Sequence, residues 1–304
     1  MTKTSLIKLP PKIPIIDAHC HLWDLANGFY GWLANNNSEL LGDLSPINKN
    51  YLITNYLADI QGYNFSGFVH IEAVSTQYAR DEVRWLINEM ANKTKIKNFG
   101  IVAGIDLNQD DVEALLADYG SLSLVKGVRQ ILSWHQNNKY AYCDSDYLTN
   151  AKWLKNYDLL KKYNLSFDMQ INPQQLLAAT KLAEKDIPII INHAGTPIAA
   201  ELEYWRKGIT KLAQYPQVTV KISGFGMLDH HWSSSSIKPM ILHIIENFGI
   251  ERCMFASNFP VDKLYSSFTK LADSYYTVIS NFNESEVQQF FAKNAQRIYR
   301  LNHN

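Results

Sequence analysis

Eight short segments rich in Ile and Val, each followed by an amphipathic stretch, constrain this chain more than any other feature. They lie at 13–18, 66–72, 99–105, 125–132, 165–171, 187–193, 218–223 and 252–257. Each is apolar on both faces, as a parallel strand covered by helices must be. Helix-period stretches fill 51–62, 77–92, 110–119, 147–163, 173–185, 202–214 and 237–248. Two more occupy 264–301, broken near 281–283. Pro173 suits a first helical turn, and Glu284 and Glu286 suit the positive end of a helix dipole. Strand–helix alternation with no linker predicts a single (β/α)₈ TIM barrel domain over residues 1–304. A doubly wound open sheet is the competing arrangement, but no GxGxxG follows the first strand, which weakens a dinucleotide site.

The bulk composition removes several function classes. Lys plus Arg and Asp plus Glu number 29 each, so the formal net charge is zero. That argues against electrostatic binding to nucleic acid or an anionic membrane surface. No apolar run approaches the ~20 residues needed to span a bilayer. Residues 1–14 carry lysines without an apolar core, so no signal peptide is expected. Cys20, Cys143 and Cys253 form no CxxC pair, so neither a disulfide framework nor a zinc ribbon is expected. The expectation is a cytoplasmic protein acting on a small-molecule substrate, with a homo-oligomer left open.

In a barrel the C-terminal strand ends share one mouth, and the chemistry collects there. The first strand ends in His19 and His21, which straddle one residue and so share a face. The second ends in His70 and Glu72, the fourth in Arg129, and the fifth in Asp168 and Gln170. The sixth gives Asn192 and His193, then Gly195; the seventh gives Lys221 and Ser223. The eighth gives Asn258, with Asp262 shortly after. His70 reads equally well as a hydrogen-bonded core residue, and Asp168 as a structural one. Arg129 must meet an anion, because an unpaired buried guanidinium is costly; a protein carboxylate and a substrate carboxylate fit equally. The long 22–50 loop, with Trp23, Tyr30 and Trp32, reads as a cover over the mouth.

Three motifs in this order carry a resemblance: His19-Cys20-His21, Asn192-His193-Ala194-Gly195 with Pro197, and Phe255-Ala256-Ser257-Asn258-Phe259-Pro260. Together they resemble the amidohydrolase superfamily, and within it the amidohydrolase-2 branch of lactonase-like barrels. That branch includes fuconolactonase-like enzymes and 2-pyrone-4,6-dicarboxylate lactonase. Val69-His70-Ile71-Glu72-Ala73, Lys126-Gly127-Val128-Arg129 and Asn294-Ala295-Gln296-Arg297-Ile298-Tyr299 fit the same branch. The resemblance implies a (β/α)₈ barrel that hydrolyses a C–O or C–N bond, most often a lactone ester. It implies that His19 and His21 bind metal or touch the substrate carbonyl, and that His193 orients the carbonyl or ligates metal. It also implies a water-activating Asp after the eighth strand. Here the chain departs, because Asn258 stands at that place and an amide cannot take a proton. Either another group is the base, with Asp262, Glu72 and a histidine the candidates, or the chemistry differs, or a ligand is bound without turnover.

A binuclear metal centre of the superfamily's kind is not expected, because Arg129, Gln170 and Asn258 stand where its further ligands would. One divalent ion, Zn²⁺ or Mn²⁺, on His19, His21 and His193 or Glu72 is compatible with the residue types. It is optional, since the resemblance also covers members in which histidines and Arg polarise the carbonyl. The reading is therefore a hydrolase of a small carboxylated or polyhydroxylated lactone. Its catalytic candidates are His19, His21, His193, Asn258 and Asp262. Its substrate-binding candidates are His70, Glu72, Arg129, Gln170, Trp23 and Trp32. A catalytically impaired ligand-binding barrel and a metal-dependent decarboxylase are the alternatives.

Overall fold

In a computed structural model that describes residues 6–93 and 96–301, each of the eight segments holds a strand. They are β1 Pro14–Cys20, β2 Asn64–Ile71, β3 Asn98–Gly104, β4 Val125–Ile131, β5 Ser166–Gln170, β6 Ile189–Ile191, β7 Val218–Ile222 and β8 Cys253–Phe255. Each pairs in parallel with the next in the chain, in one eight-stranded sheet. The ring is completed by backbone beyond β8. His21 N–H donates to the Phe259 carbonyl at 2.7 Å, and Asn258 N–H donates to the His19 carbonyl at 2.7 Å. The (β/α)₈ barrel expected from the alternation is therefore the fold, and the open sheet is not.

One ladder irregularity sets the direction of a candidate site residue. On β1, Ile16 and Ala18 belong to the barrel interior, together with Val69, Val102, Ile190 and Met254. Strict alternation from Ala18 would send His19 outward. The pairing with β2 slips between Asp17 and Cys20, and such a slip re-aims side chains. His19 thereby joins the inner side with His21, their ring centroids 4.9 Å apart. The Asp17 carboxylate fixes the slip: it accepts from Ser257 N–H at 2.8 Å, His19 N–H at 3.1 Å and the Tyr56 hydroxyl at 2.7 Å.

The N-terminal end of the barrel is closed by the chain's last helical segment, which starts at Glu284, just past the break expected near 281–283. Asn283 caps that segment by accepting from Glu286 N–H at 3.0 Å, and the Glu286 carboxylate returns the bond to Asn283 N–H at 2.9 Å. Ala292, Ala295, Tyr299 and Leu301 then pack beneath the interior residues of the strands. Strand ends at the other side are left open to the loops, and Trp32 and Leu41 of the long 22–50 loop lie over them.

Candidate active site

A cavity of about 300 Å³ opens at the C-terminal strand ends. His21, Glu72, Arg129, Gln170, His193 and Asn258 supply polar groups from the strand ends, Ser75 and Tyr142 add hydroxyls, and Trp32 and Leu41 of the long loop cover it. A shallower depression at the opposite end holds Arg252 and Arg297. Arg252 spends its guanidinium on the carbonyls of Phe248, Tyr215 and Ala213 at 2.7–2.9 Å, so that depression is structural.

His21 is the best-defined member. Its Nδ1 lies 2.8 Å from the Ile71 carbonyl, which can only accept, so Nδ1 carries a proton. Its Nε2 lies 3.3 Å from Asn258 Oδ1. The Asn258 amide nitrogen donates in turn to Asp262 Oδ1 at 3.1 Å, and Gly224 N–H donates to Asp262 Oδ2 at 3.2 Å. Burial drives His21 well below its ordinary value and pushes Asp262 up to about 7. The amide can sit in two arrangements, because its oxygen and nitrogen are interchangeable by a half-turn. With Asp262 protonated, the amide oxygen accepts from the acid and the NH₂ occupies the His21 Nε2 lone pair. With Asp262 ionised, the NH₂ serves the carboxylate and the amide oxygen faces Nε2. Asp262 itself is 1% exposed and does not reach the cavity; Asn258 does.

His193 sits in a turn after β6, not in the strand as the apolar run predicted. His193, Ala194, Gly195 and Thr196 all have positive φ, from 52° to 69°, and the Trp205 indole holds the turn by donating to the Ala194 carbonyl at 2.8 Å. Such strained residues cluster at functional positions. His193 Nδ1 is 3.1 Å from Ser223 Oγ, which leaves Nε2 for the cavity. Burial also holds this imidazole neutral, well below its ordinary value.

His19 lies deeper, wholly buried and outside the cavity lining. Its Nδ1 is 3.5 Å from Lys221 Nζ. Lys221 pairs with Asp168 in the barrel interior, both fully buried; burial draws the ammonium down, and the Asp168 carboxylate in contact with it pulls it back and favours the charged form. An ammonium only donates, so His19 Nδ1 accepts and Nε2 carries the proton. This bears on the optional single ion considered for His19, His21 and His193 or Glu72. A histidine that ligates through Nε2 gives its Nδ1–H to an acceptor. His21 does so, and Ser223 can serve His193, but His19 faces a donor. Among the described residues, no group of three or more His, Cys, Asp or Glu side chains is arranged to hold a metal ion. The donor set does not fit such an ion.

Arg129 meets a protein carboxylate. Its Nε donates to Glu72 Oε1 at 2.8 Å, one terminal nitrogen to the Glu72 carbonyl at 2.8 Å, and the other to Gln170 Oε1 at 3.2 Å. Burial raises the Glu72 carboxyl while the guanidinium pulls it back. His70 and Trp23 were expected at the substrate, and both lie outside the lining. His70 Nδ1 accepts from Leu22 N–H at 3.1 Å, and its Nε2 lies 3.5 Å from Glu82, the core role weighed for it. Trp23 is buried beneath Trp32, ring centroids 5.7 Å apart, and donates to the Lys49 carbonyl at 2.8 Å. It supports the cover; Trp32 forms it. Asp168 is structural, accepting from Lys221, Asn192 and Tyr299. Sequence reasoning gave no role to Asp17 or Gly224. An Asp inside an apolar strand two residues before His19 was the available signal for the first; nothing local marked the second.

Comparison with known proteins places this geometry in a family. The family model described as amidohydrolase matches residues 16–301. An uncharacterized protein of Sinorhizobium fredii is 36% identical over 95% of this chain and 99% of its own length. An L-fucono-1,5-lactonase of Burkholderia ambifaria is 24% identical over 83% of this chain and 82% of its own. Among solved structures, an amidohydrolase from Burkholderia multivorans superposes with a TM-score of 0.79 at 19% identity, over 95% of this chain and 99% of that one. It was solved with bound HEPES and, in another crystal form, with bound zinc. With a match that runs from β1 to the closing helix and a polar cluster at the strand ends, the chain belongs to the amidohydrolase-2 family.

Proposed function

We propose that the chain hydrolyses the ester C–O bond of a small lactone. The observation that carries this reading is the convergence of His21, His193, Arg129 and Asn258 on one cavity, with both imidazoles held neutral by burial. The likeness to a Burkholderia lactonase supports the reaction class. Ser223 donates to His193 Nδ1, so His193 Nε2–H and the unspent N–H groups of Arg129 face the lactone carbonyl oxygen. Donors already in place where negative charge develops lower the barrier without reorganisation. Water attacks the carbonyl carbon and gives its proton to His21 Nε2, and the Asn258 oxygen accepts from the resulting imidazolium. Collapse of the tetrahedral intermediate breaks the ring C–O bond, and His21 returns the proton to the departing oxygen. The product is the open hydroxy acid. No step requires Asn258 to accept a proton, which it cannot do.

The test is a lactone panel read by a pH indicator, with His193→Asn beside the parent. Removal of one donor to the oxyanion is expected to lower kcat/KM by roughly two orders of magnitude. Unchanged kcat/KM would overturn the role of His193. Binding of lactones without turnover would make the protein a ligand-binding barrel instead.

A further inference from the structure

We infer that the substrate is an uncharged lactone bearing an aliphatic substituent, rather than a carboxylated or polyhydroxylated one. This rests on the lactone-hydrolase reading and narrows it. The cavity lining contains one cation, Arg129, and beside it one acid, Glu72. The guanidinium has already spent its Nε and a terminal nitrogen on Glu72, and a further nitrogen on Gln170. An incoming carboxylate would therefore meet a cation whose charge is answered, next to the carboxylate that answers it. No Lys and no second Arg lines the cavity among the described residues.

One face of the wall argues against a sugar-like ring. Ser75 and Tyr142 each bring one hydroxyl to the lining, but Trp32, Leu41, Val74, Ile131, Met227 and Val261 form most of it beyond the strand ends, and none of these six side chains offers an oxygen acceptor. The one polar atom among them, the Trp32 indole N–H, is committed to the Ala73 carbonyl at 2.8 Å. Ring hydroxyls pressed against these side chains would lose water without gaining a partner. An alkyl chain gains from the same contact. The volume of about 300 Å³ lies at the small end of ligand pockets, enough for a lactone ring with a short chain. The polar groups that act on the carbonyl come from the strand ends, and most of the apolar wall comes from the loops beyond them. Ring and substituent thus have separate places.

The experiment compares δ-octalactone, δ-valerolactone, gluconolactone and isocitric lactone as substrates of the intact protein. Each methylene placed on the apolar wall is expected to raise kcat/KM about fourfold, so δ-octalactone should exceed the other three by well over tenfold. Faster hydrolysis of isocitric lactone or gluconolactone overturns the inference and leaves the hydrolase reading standing. If none of the four is hydrolysed, the hydrolase reading fails. Competition binding then decides the inference on its own: it stands if δ-octalactone binds best and falls if it does not. The variant Glu72→Gln gives a second arm. Freeing the guanidinium should improve isocitric lactone relative to δ-octalactone by roughly tenfold; an unchanged ratio would show that Glu72 does not set the charge preference.

Discussion

Asp262 shows how much one residue can decide from behind a wall. It does not reach the cavity, yet its charge sets which face of the Asn258 amide meets His21. Burial raises its carboxyl to about 7, so the switch falls in the neutral range. The proton-accepting arrangement needs the ionised form, so kcat/KM should rise with pH and level off above about 7. Asp262→Asn removes the titration while still offering an oxygen to the Asn258 NH₂. We expect that limb to vanish from the pH profile, with the plateau kept within roughly tenfold of the parent. A limb that persists unchanged would assign it to another group. The stability sign is opposite to that of a salt-bridged acid. A carboxyl whose folded pKa is raised contributes fully below its unfolded value and loses that contribution as pH rises through about 7. The variant's thermal midpoint should therefore fall less between acid and neutral pH than the parent's. Sequence reasoning could offer Asp262 as a base because it stands four residues past Asn258. It could not decide the anion that meets Arg129. Glu72 stands 57 residues away at the end of β2, with β3 between, a neighbour that only barrel closure and side-chain reach supply.

At the scale of elements, all eight strands were legible because a buried parallel strand writes itself as a short apolar run. The turn after β6 was not. Ile187 to His193 reads as one strand, yet the ladder stops at Ile191 and the chain turns through positive φ. Trp205, from the next helix, holds that turn, so its cause is tertiary. The slip in β1 is equally silent, since its clasp, Asp17 to Ser257, joins the two ends of the barrel. Gly224 ties these pieces together. Its φ is +75°, and a Cβ there would stand 2.7 Å from the Cβ of His193. Its N–H also serves Asp262. Gly224→Ala should cost about 1–2 kcal/mol from the left-handed backbone alone, with a further cost from displacing His193. The measurements are urea unfolding and kcat/KM, and we expect the second to fall more than tenfold. A stability loss with intact kcat/KM would mean that His193 is positioned without Gly224.

Across the whole molecule, the mouth and the floor of the barrel are joined by one buried polar column. Tyr299, near the end of the chain, donates to Asp168 at 2.9 Å; Asp168 holds Lys221; and Lys221 faces His19 at 3.5 Å. Nothing in the sequence announces this column, because its members lie on β1, β5, β7 and the closing helix. Its energetics come from burial. Truncating one end of a buried ion pair leaves a charge without an answer and costs about 3–5 kcal/mol. Lys221→Met should do so, since Asn192 and Tyr299 can offer Asp168 hydrogen bonds but no charge. Adding Asp168→Asn should restore a large part of that loss, so the double variant is more stable than Lys221→Met alone. Tyr299→Phe should cost only about 1 kcal/mol, the usual worth of one hydrogen bond whose acceptor keeps other donors. Urea unfolding of the single and double variants measures the coupling, and additive losses would show that the pair is not coupled. The same set separates support from chemistry. Lys221→Met removes the donor that keeps the proton on His19 Nε2, and His19 packs against His193 with ring centroids 4.6 Å apart, so its kcat/KM should fall by more than its stability loss explains at a temperature where it remains folded. Tyr299→Phe, which leaves Lys221 in place, should keep the parent's kcat/KM.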